Sequence, residues 1–265
     1  MILLAEKIFN PIENKVVNGG LSAIFRTIGC VGDSLSSGEH VSMKDGKAGF
    51  HDYYEYSWGQ YIARATGATV YNFSAGGMST ASFQSNKARL GFLDPDKKCQ
   101  AYIVALGVND ALAKVPTGTI KDIHPDNPEL NNPDTYAGRL GKIISEIKEI
   151  QPKARVFLTT CPNNFGFTGD DREKRFDEHR ALAYEIAELF EFTYVIDLRQ
   201  YTPSKDHLFW RGGWMTGHLN AVGYLLVAEW IMSCIDHIIE TNPDDFAQVG
   251  FIGRENDLHN DRYKW

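Results

Sequence analysis

Cysteine is scarce in this chain: Cys30, Cys99, Cys161 and Cys234 are the four in 265 residues, and no two are close in sequence. The spacing excludes a dense disulfide scaffold, and no CxxC or Cys/His pattern of a structural metal site is present. Three of the four lie in or beside apolar runs, as expected of small buried hydrophobes in a reducing compartment. Basic blocks are lacking as well. Lys plus Arg number 27 against 34 Asp plus Glu, a net charge of -7 that disfavours nucleic acid as a partner. No uninterrupted apolar run is long enough to span a bilayer, since Ala221 to Ile239 is broken by Glu229 and Asp236 and reads as a core helix. The N-terminal Met1-Ile2-Leu3-Leu4-Ala5 stretch is too short for the apolar region of a signal peptide. The expectation is a cytoplasmic protein, or a secreted one if a leader precedes it, with no membrane partner.

Several chemical signatures are absent too. His40, His51, His124, His179, His207, His237 and His259 form no HExxH pair, and no GxGxxG, P-loop or GxSxG sequence occurs. No metal and no cofactor are therefore expected.

What the chain does contain is ordinary globular material, 43% hydrophobic and 23% charged. Short apolar runs rich in β-branched and aromatic residues predict strands over residues 27–31, 68–73, 100–106, 154–160 and 193–196. Between the last three lie segments of helical period. One carries Leu140, Ile143, Ile144, Ile147 and Ile150; the other carries Phe176, Leu182, Ala183, Ile186 and Leu189, entered through Thr168-Gly169-Asp170-Asp171. Alternating strands and helices predict a parallel sheet covered on both faces, a flavodoxin-like three-layer α/β/α sandwich with a five-stranded parallel sheet. A single domain over residues 1–265 is expected, with an N-terminal extension at 1–25 and a polar C-terminal tail at 241–265 that ends in Trp265. Leu112 to Asn132 reads as a long loop suited to a lid or binding role. Tyr53, Tyr54, Tyr56 and Trp58 are expected to pack the first helix.

The strand ends carry the chemistry. The first strand stops at Gly32-Asp33-Ser34-Leu35, the second at Asn72-Phe73-Ser74-Ala75-Gly76-Gly77, the third at Gly107-Val108-Asn109-Asp110. In a parallel sheet all three turns meet at one edge. A hydroxyl, flexible backbone N–H groups and a side-chain amide suit acyl transfer at serine, which needs a base and donors for an oxyanion. His218, in Gly217-His218-Leu219-Asn220 ahead of the final helix, is the candidate base. The competing reading is plain: Asp33 and Ser34 as helix caps, Gly77 as a turn residue, Asn109 as a cap and His218 as a satisfied loop histidine.

Together these residues resemble the SGNH hydrolases, also called GDSL esterases and lipases, from about Thr27 to the final helix. The first block is matched by Gly32-Asp33-Ser34 with Leu35, the second by Asn72 and Gly77, the third by Gly107 to Asp110, and the fifth by His218 with Gly223. The resemblance implies the SGNH fold, Ser34 as nucleophile, His218 as general base, and an oxyanion hole made of the Ser34 and Gly77 N–H groups and the Asn109 side chain. It also implies a serine esterase acting on a carboxylic ester through an acyl-enzyme, with a short acyl ester on a carbohydrate or other small molecule as substrate. Acyl transfer to an alcohol, or a non-catalytic carbohydrate-binding role, are the alternatives. Trp210 and Trp214 either wall the substrate pocket or simply pack.

One position departs from the family pattern. Three residues before the histidine the family carries an acid, and here Met215 stands. Asp206, Asp197 and Asp110 are the candidates to orient His218, and a backbone carbonyl in a Ser–His dyad is the other solution. In a well-characterised serine protease, loss of the triad Asp costs about 3 × 10⁴ in rate, against about 2 × 10⁶ for Ser or His. The oligomeric state is left open by the sequence.

Overall fold

A computed structural model describes residues 10–162, 171–202, 212–215 and 217–253. Five parallel strands form the central sheet: β1 (Thr27–Gly32), β4 (Thr69–Asn72), β5 (Ala101–Ala105), β6 (Arg155–Thr159) and β7 (Thr193–Ile196). Their order, β4-β1-β5-β6-β7, is the flavodoxin order expected from the sequence, with its switch point beside β1. Register runs Ile28↔Val70 on one side of β1 and Ile28↔Ala101 on the other.

Alternation along these strands feeds two separate cores. Ile28, Cys30, Ala101, Ile103 and Phe157 face one side, where α2 (Trp58–Thr66) and the long α8 (Ala221–Thr241) pack. Val31, Tyr102, Val104, Val156 and Leu158 face the other, beneath α3 (Thr80–Asn86), α5 (Tyr136–Ile150) and α6 (Arg172–Leu189). Two apolar faces on one sheet require two helical layers, which is the three-layer sandwich. Gly29 interrupts β1 for a steric reason. A Cβ there would stand 2.7 Å from Tyr102 Cδ1 and 2.9 Å from Phe73 Cε2, so glycine lets both rings close over the strand.

The helix starts obey local chemistry. Ser57 caps α2 by accepting from Gln60 N, Thr135 caps α5 through Gly138 N, and Asn220 caps α8 through Gly223 N. Trp58, at the first position of α2, is buried as expected, whereas Tyr56 is exposed.

Three features differ from expectation. A two-stranded antiparallel hairpin, β2 (Glu39–Lys44) with β3 (Lys47–Asp52), follows the first turn. Its two-residue loop has Asp45 at φ 51° and Gly46 at φ 75°, the left-handed pair that a tight hairpin demands. Secondly, the segment after α8 is no polar tail where it is described. Phe246, Val249 and Ile252 are buried against the α2/α8 core, because Phe25 and Phe157 would otherwise be left open at the sheet's lower end. Trp265 lies outside the described residues, as do Thr168, Gly169 and Asp170. Thirdly, the 112–132 loop is pinned: Ile123 and Asn131 are buried, and Asn131 Oδ1 accepts from His124 N.

Candidate active site

The turns after β1, β4 and β5 meet at the carboxyl edge of the sheet. After Gly32 the chain passes straight into α1 (Ser34–Ser37), with Asp33 as N-cap and Ser34 at the first helical position. Asp33 Oδ1 accepts from Leu35 N at 3.0 Å, and its carbonyl accepts from Ser36 N and Ser37 N. Gly32 is required by closeness: a Cβ there would lie 2.5 Å from that of Ser36. Gly38, at φ 85°, ends the helix by donating its N–H to Ser34 O. Ser74 Oγ donates to Cys30 O at 3.0 Å and lies 2.8 Å from Ser36 Oγ, which ties the second turn to the first.

In the second turn Met78 N donates to Ala75 O, with Gly77 in third place at φ 67°. Gly76 and Gly77 are exposed. Among the described residues neither the Ser34 N–H nor the Gly77 N–H finds an acceptor. Asn109, in α4 (Val108–Leu112), behaves differently from expectation. Its Nδ2 donates to Met78 O at 3.0 Å and to Asp33 Oδ2 at 3.3 Å, so both amide hydrogens brace the turns. The cause is the buried Asp33 carboxylate, which needs a donor on its second oxygen.

His218 arrives from the far end of the chain on a small hairpin, β8 (Trp214–Met215) and β9 (His218–Leu219), with Met215↔His218 in register. β9 packs against both α1 and β2. The His218 Nε2 lies 3.1 Å from Glu39 Oε1, and the two side chains are only 18% and 17% exposed. The Phe50 ring of β3 covers the imidazole at a centroid distance of 4.6 Å. Nδ1 is buried and has no hydrogen-bond partner among the described residues. Burial lowers the His218 pKa, His40 pushes the same way, and Asp52 opposes them. Burial raises Glu39, with Asp52 across the hairpin adding to the effect. Asp33 is pushed up to about 7, chiefly by burial, with Leu35 N–H opposing and Asp110 and Glu39 adding their charge. The buried Tyr224 of α8 stitches these parts together, its hydroxyl donating toward Glu39 O at 2.8 Å and Ser34 O at 3.2 Å.

Of the acids considered for His218, Asp197 is committed elsewhere. Its Oδ1 accepts from Thr160 Oγ1 and Gln200 N, and its Oδ2 from Arg180 Nε and Tyr184 Oη, which makes it the cap of α7 (Leu198–Tyr201) and the anchor of Arg180. Asp110 is likewise spent, on Thr80 N and Thr80 Oγ1. Asp206, Trp210 and the Trp214 side chain lie outside the described residues. The carboxylate that does reach His218 is Glu39. Sequence reading passed over it: Asp45-Gly46 is a hairpin signal, but the residues that flank it alternate only weakly, and a hairpin alone would not have brought Glu39 to His218. Among the described residues no group of three or more His, Cys, Asp or Glu is arranged to hold a metal ion.

Beneath the turns lies an apolar cavity of about 70 Å³, lined by Asp33 and Leu35 on either side of Ser34, and by Val108, Leu158, Leu198 and Leu219 among others.

The sequence matches the GDSL-like lipase/acylhydrolase family over residues 30–226. No curated protein matches it. Among solved structures it is similar to a possible lipase from Chitinophaga pinensis, at 16% identity and a TM-score of 0.56, covering 82% of this chain and 98% of that one. It is also similar to a family two carbohydrate esterase from Clostridium thermocellum, solved in complex with cellohexaose, at 16% identity and TM-score 0.56, covering 83% of this chain and 65% of that one. A family 3 carbohydrate esterase from Clostridium thermocellum gives 15% identity and a TM-score of 0.51, covering 82% of this chain and 98% of that one. These similarities are to the fold.

Proposed function

Since the chain belongs to the GDSL-like lipase/acylhydrolase family and is an ester hydrolase, we propose that it cleaves a short acyl ester, such as an acetyl group on a carbohydrate or other small molecule, through Ser34 and His218. His218 takes the Ser34 proton as Oγ attacks the ester carbonyl, and the developing oxyanion is held by the Ser34 and Gly77 N–H groups. Asn109 joins them by giving up its longer bond, the 3.3 Å contact to Asp33. The alcohol leaves with the proton from His218. Water then attacks the acyl-enzyme, passing its proton to His218, which hands it to Ser34 Oγ as the bond to the acyl group breaks and the acid leaves.

The observation that carries this reading is the meeting of α1 and β9 at the carboxyl edge of the sheet, with two backbone donors left without acceptors among the described residues. The downward pull on the His218 pKa supports a neutral base near pH 7. The carbohydrate part draws on the carbohydrate esterases that share the fold.

Labelling with a fluorophosphonate tests the centre. Wild-type protein is expected to label at Ser34 and to hydrolyse p-nitrophenyl acetate faster than longer acyl esters, and Ser34→Ala to do neither. Folded wild-type protein that neither labels nor hydrolyses would overturn the reading.

A further inference from the structure

The family's position for the acid holds Met215, whose backbone pairs with that of His218 across β8–β9. Yet the imidazole does not lack a carboxylate. Glu39 Oε1 lies 3.1 Å from Nε2, on a side chain only 17% exposed. The contact is held from three directions. Tyr224 fixes the Glu39 carbonyl, the strand register pairs Glu39 with Asp52, and Ser37 Oγ donates to Asp52 Oδ1 at 2.6 Å. Gly76 leaves the room: a Cβ on it would stand 2.3 Å from Glu39 Oε2, and its three nearest atoms all belong to the Glu39 carboxylate.

We propose that Glu39 is the positioning acid of His218, replacing from the serine's side of the sequence the carboxylate missing at Met215. The proposal rests on the Ser34–His218 reading above. A proton on Nε2, donated to Glu39, leaves the lone pair on Nδ1, the buried ring nitrogen without a partner among the described residues. When His218 takes the Ser34 proton, both ring nitrogens carry hydrogen, and the Glu39 carboxylate balances the positive charge. The titratable groups facing His218 are Glu39 and His40 of β2 and Asp52 of β3; Asp52 also acts on Glu39, and Glu39 in turn adds its charge to Asp33.

The test is a pH–rate profile of Glu39→Gln on p-nitrophenyl acetate. By analogy with triad acids, kcat is expected to fall about 10⁴-fold. The acidic limb of kcat/KM is expected to move to lower pH, because an imidazolium that has lost its counter-charge gives up its proton more readily. A residue that merely supported the fold would not move that limb. Gly76→Ala supplies a second variant, since it pushes the carboxylate off the imidazole while meeting only the flexible end of one side chain. Its effect is expected to vanish in a Glu39→Ala background. The tautomer is readable without any variant: ¹⁵N-histidine NMR of wild-type protein near neutral pH is expected to place the His218 proton on Nε2.

Wild-type kcat and an unmoved acidic limb in Glu39→Gln would overturn the proposal, as would a His218 proton resting on Nδ1. Those results leave the Ser34–His218 reading standing as long as wild-type protein still labels and Ser34→Ala does not. Loss of Ser34 labelling in wild-type protein removes both.

Discussion

Replacing Asp33 by asparagine should change how stability depends on pH. The Asp33 carboxyl is 1% exposed and lies at about 7 in the folded chain against an ordinary value of 3.8, burial being the main cause. A raised value means that the folded state keeps a proton which the unfolded state releases. Stability is therefore fully present below about pH 4 and declines as pH rises to about 7. That gap corresponds to about 4 kcal/mol. The Asp33→Asn variant cannot ionise there and escapes the loss. It carries a cost of its own, since one amide oxygen cannot accept from both Leu35 N and Asn109 Nδ2, which now donate to separate Asp33 oxygens. That cost, about 1–3 kcal/mol, is independent of pH. Urea unfolding of both proteins from about pH 4 to pH 8 should give stability curves that cross, the variant being the weaker protein in acid and the stronger in base. Because the other titrating groups are common to both chains, the difference reports this carboxyl together with its coupling to Asp110 and Glu39. Parallel curves across that range would refute the reasoning.

Other perturbations follow from single contacts. Tyr224→Phe removes the hydroxyl that serves the Glu39 and Ser34 carbonyls inside the protein, so it should cost about 1–3 kcal/mol in urea unfolding and lower kcat on p-nitrophenyl acetate by loosening α1 against β2. Gly29→Ala drives a methyl into the buried rings of Tyr102 and Phe73; about 1–3 kcal/mol of stability should be lost, with KM unchanged because the site is at the other end of β1.

The central sheet was legible because its strands are short apolar runs, each closed by a turn residue. Ile28, Cys30 and Val31 announce β1, and Thr193 to Ile196 announces β7 to the residue. The strand ends were legible for the same reason, since glycine and asparagine at the end of a buried strand have few other uses. The β2–β3 hairpin was not read, because its sequence, Glu39-His40-Val41-Ser42-Met43-Lys44, alternates only weakly and Phe50 and Met43 stay exposed. Periodicity carries information only where one face is buried. The partner of His218 was out of reach by spacing alone. Glu39 and His218 meet through a fold-back at Gly38 and a tertiary contact with β9, neither of which leaves a fixed interval in the chain. Asp197 looked suitable in sequence because an acid at a strand end is common to caps and catalytic sites alike. Only its four filled acceptor positions tell the two apart.

The hairpin also has a mechanical consequence. Glu39 and Phe50 stand on opposite strands of β2–β3, one bonded to the edge of the His218 ring and the other packed against that ring at a tilt. They are carried by one lever hinged at Gly38, whereas Ser34 is seated in α1 on the end of β1 and His218 is rooted at the start of α8. Swinging that lever outward would strip the imidazole of its acid and its aromatic cover in a single movement, with the serine left where it is.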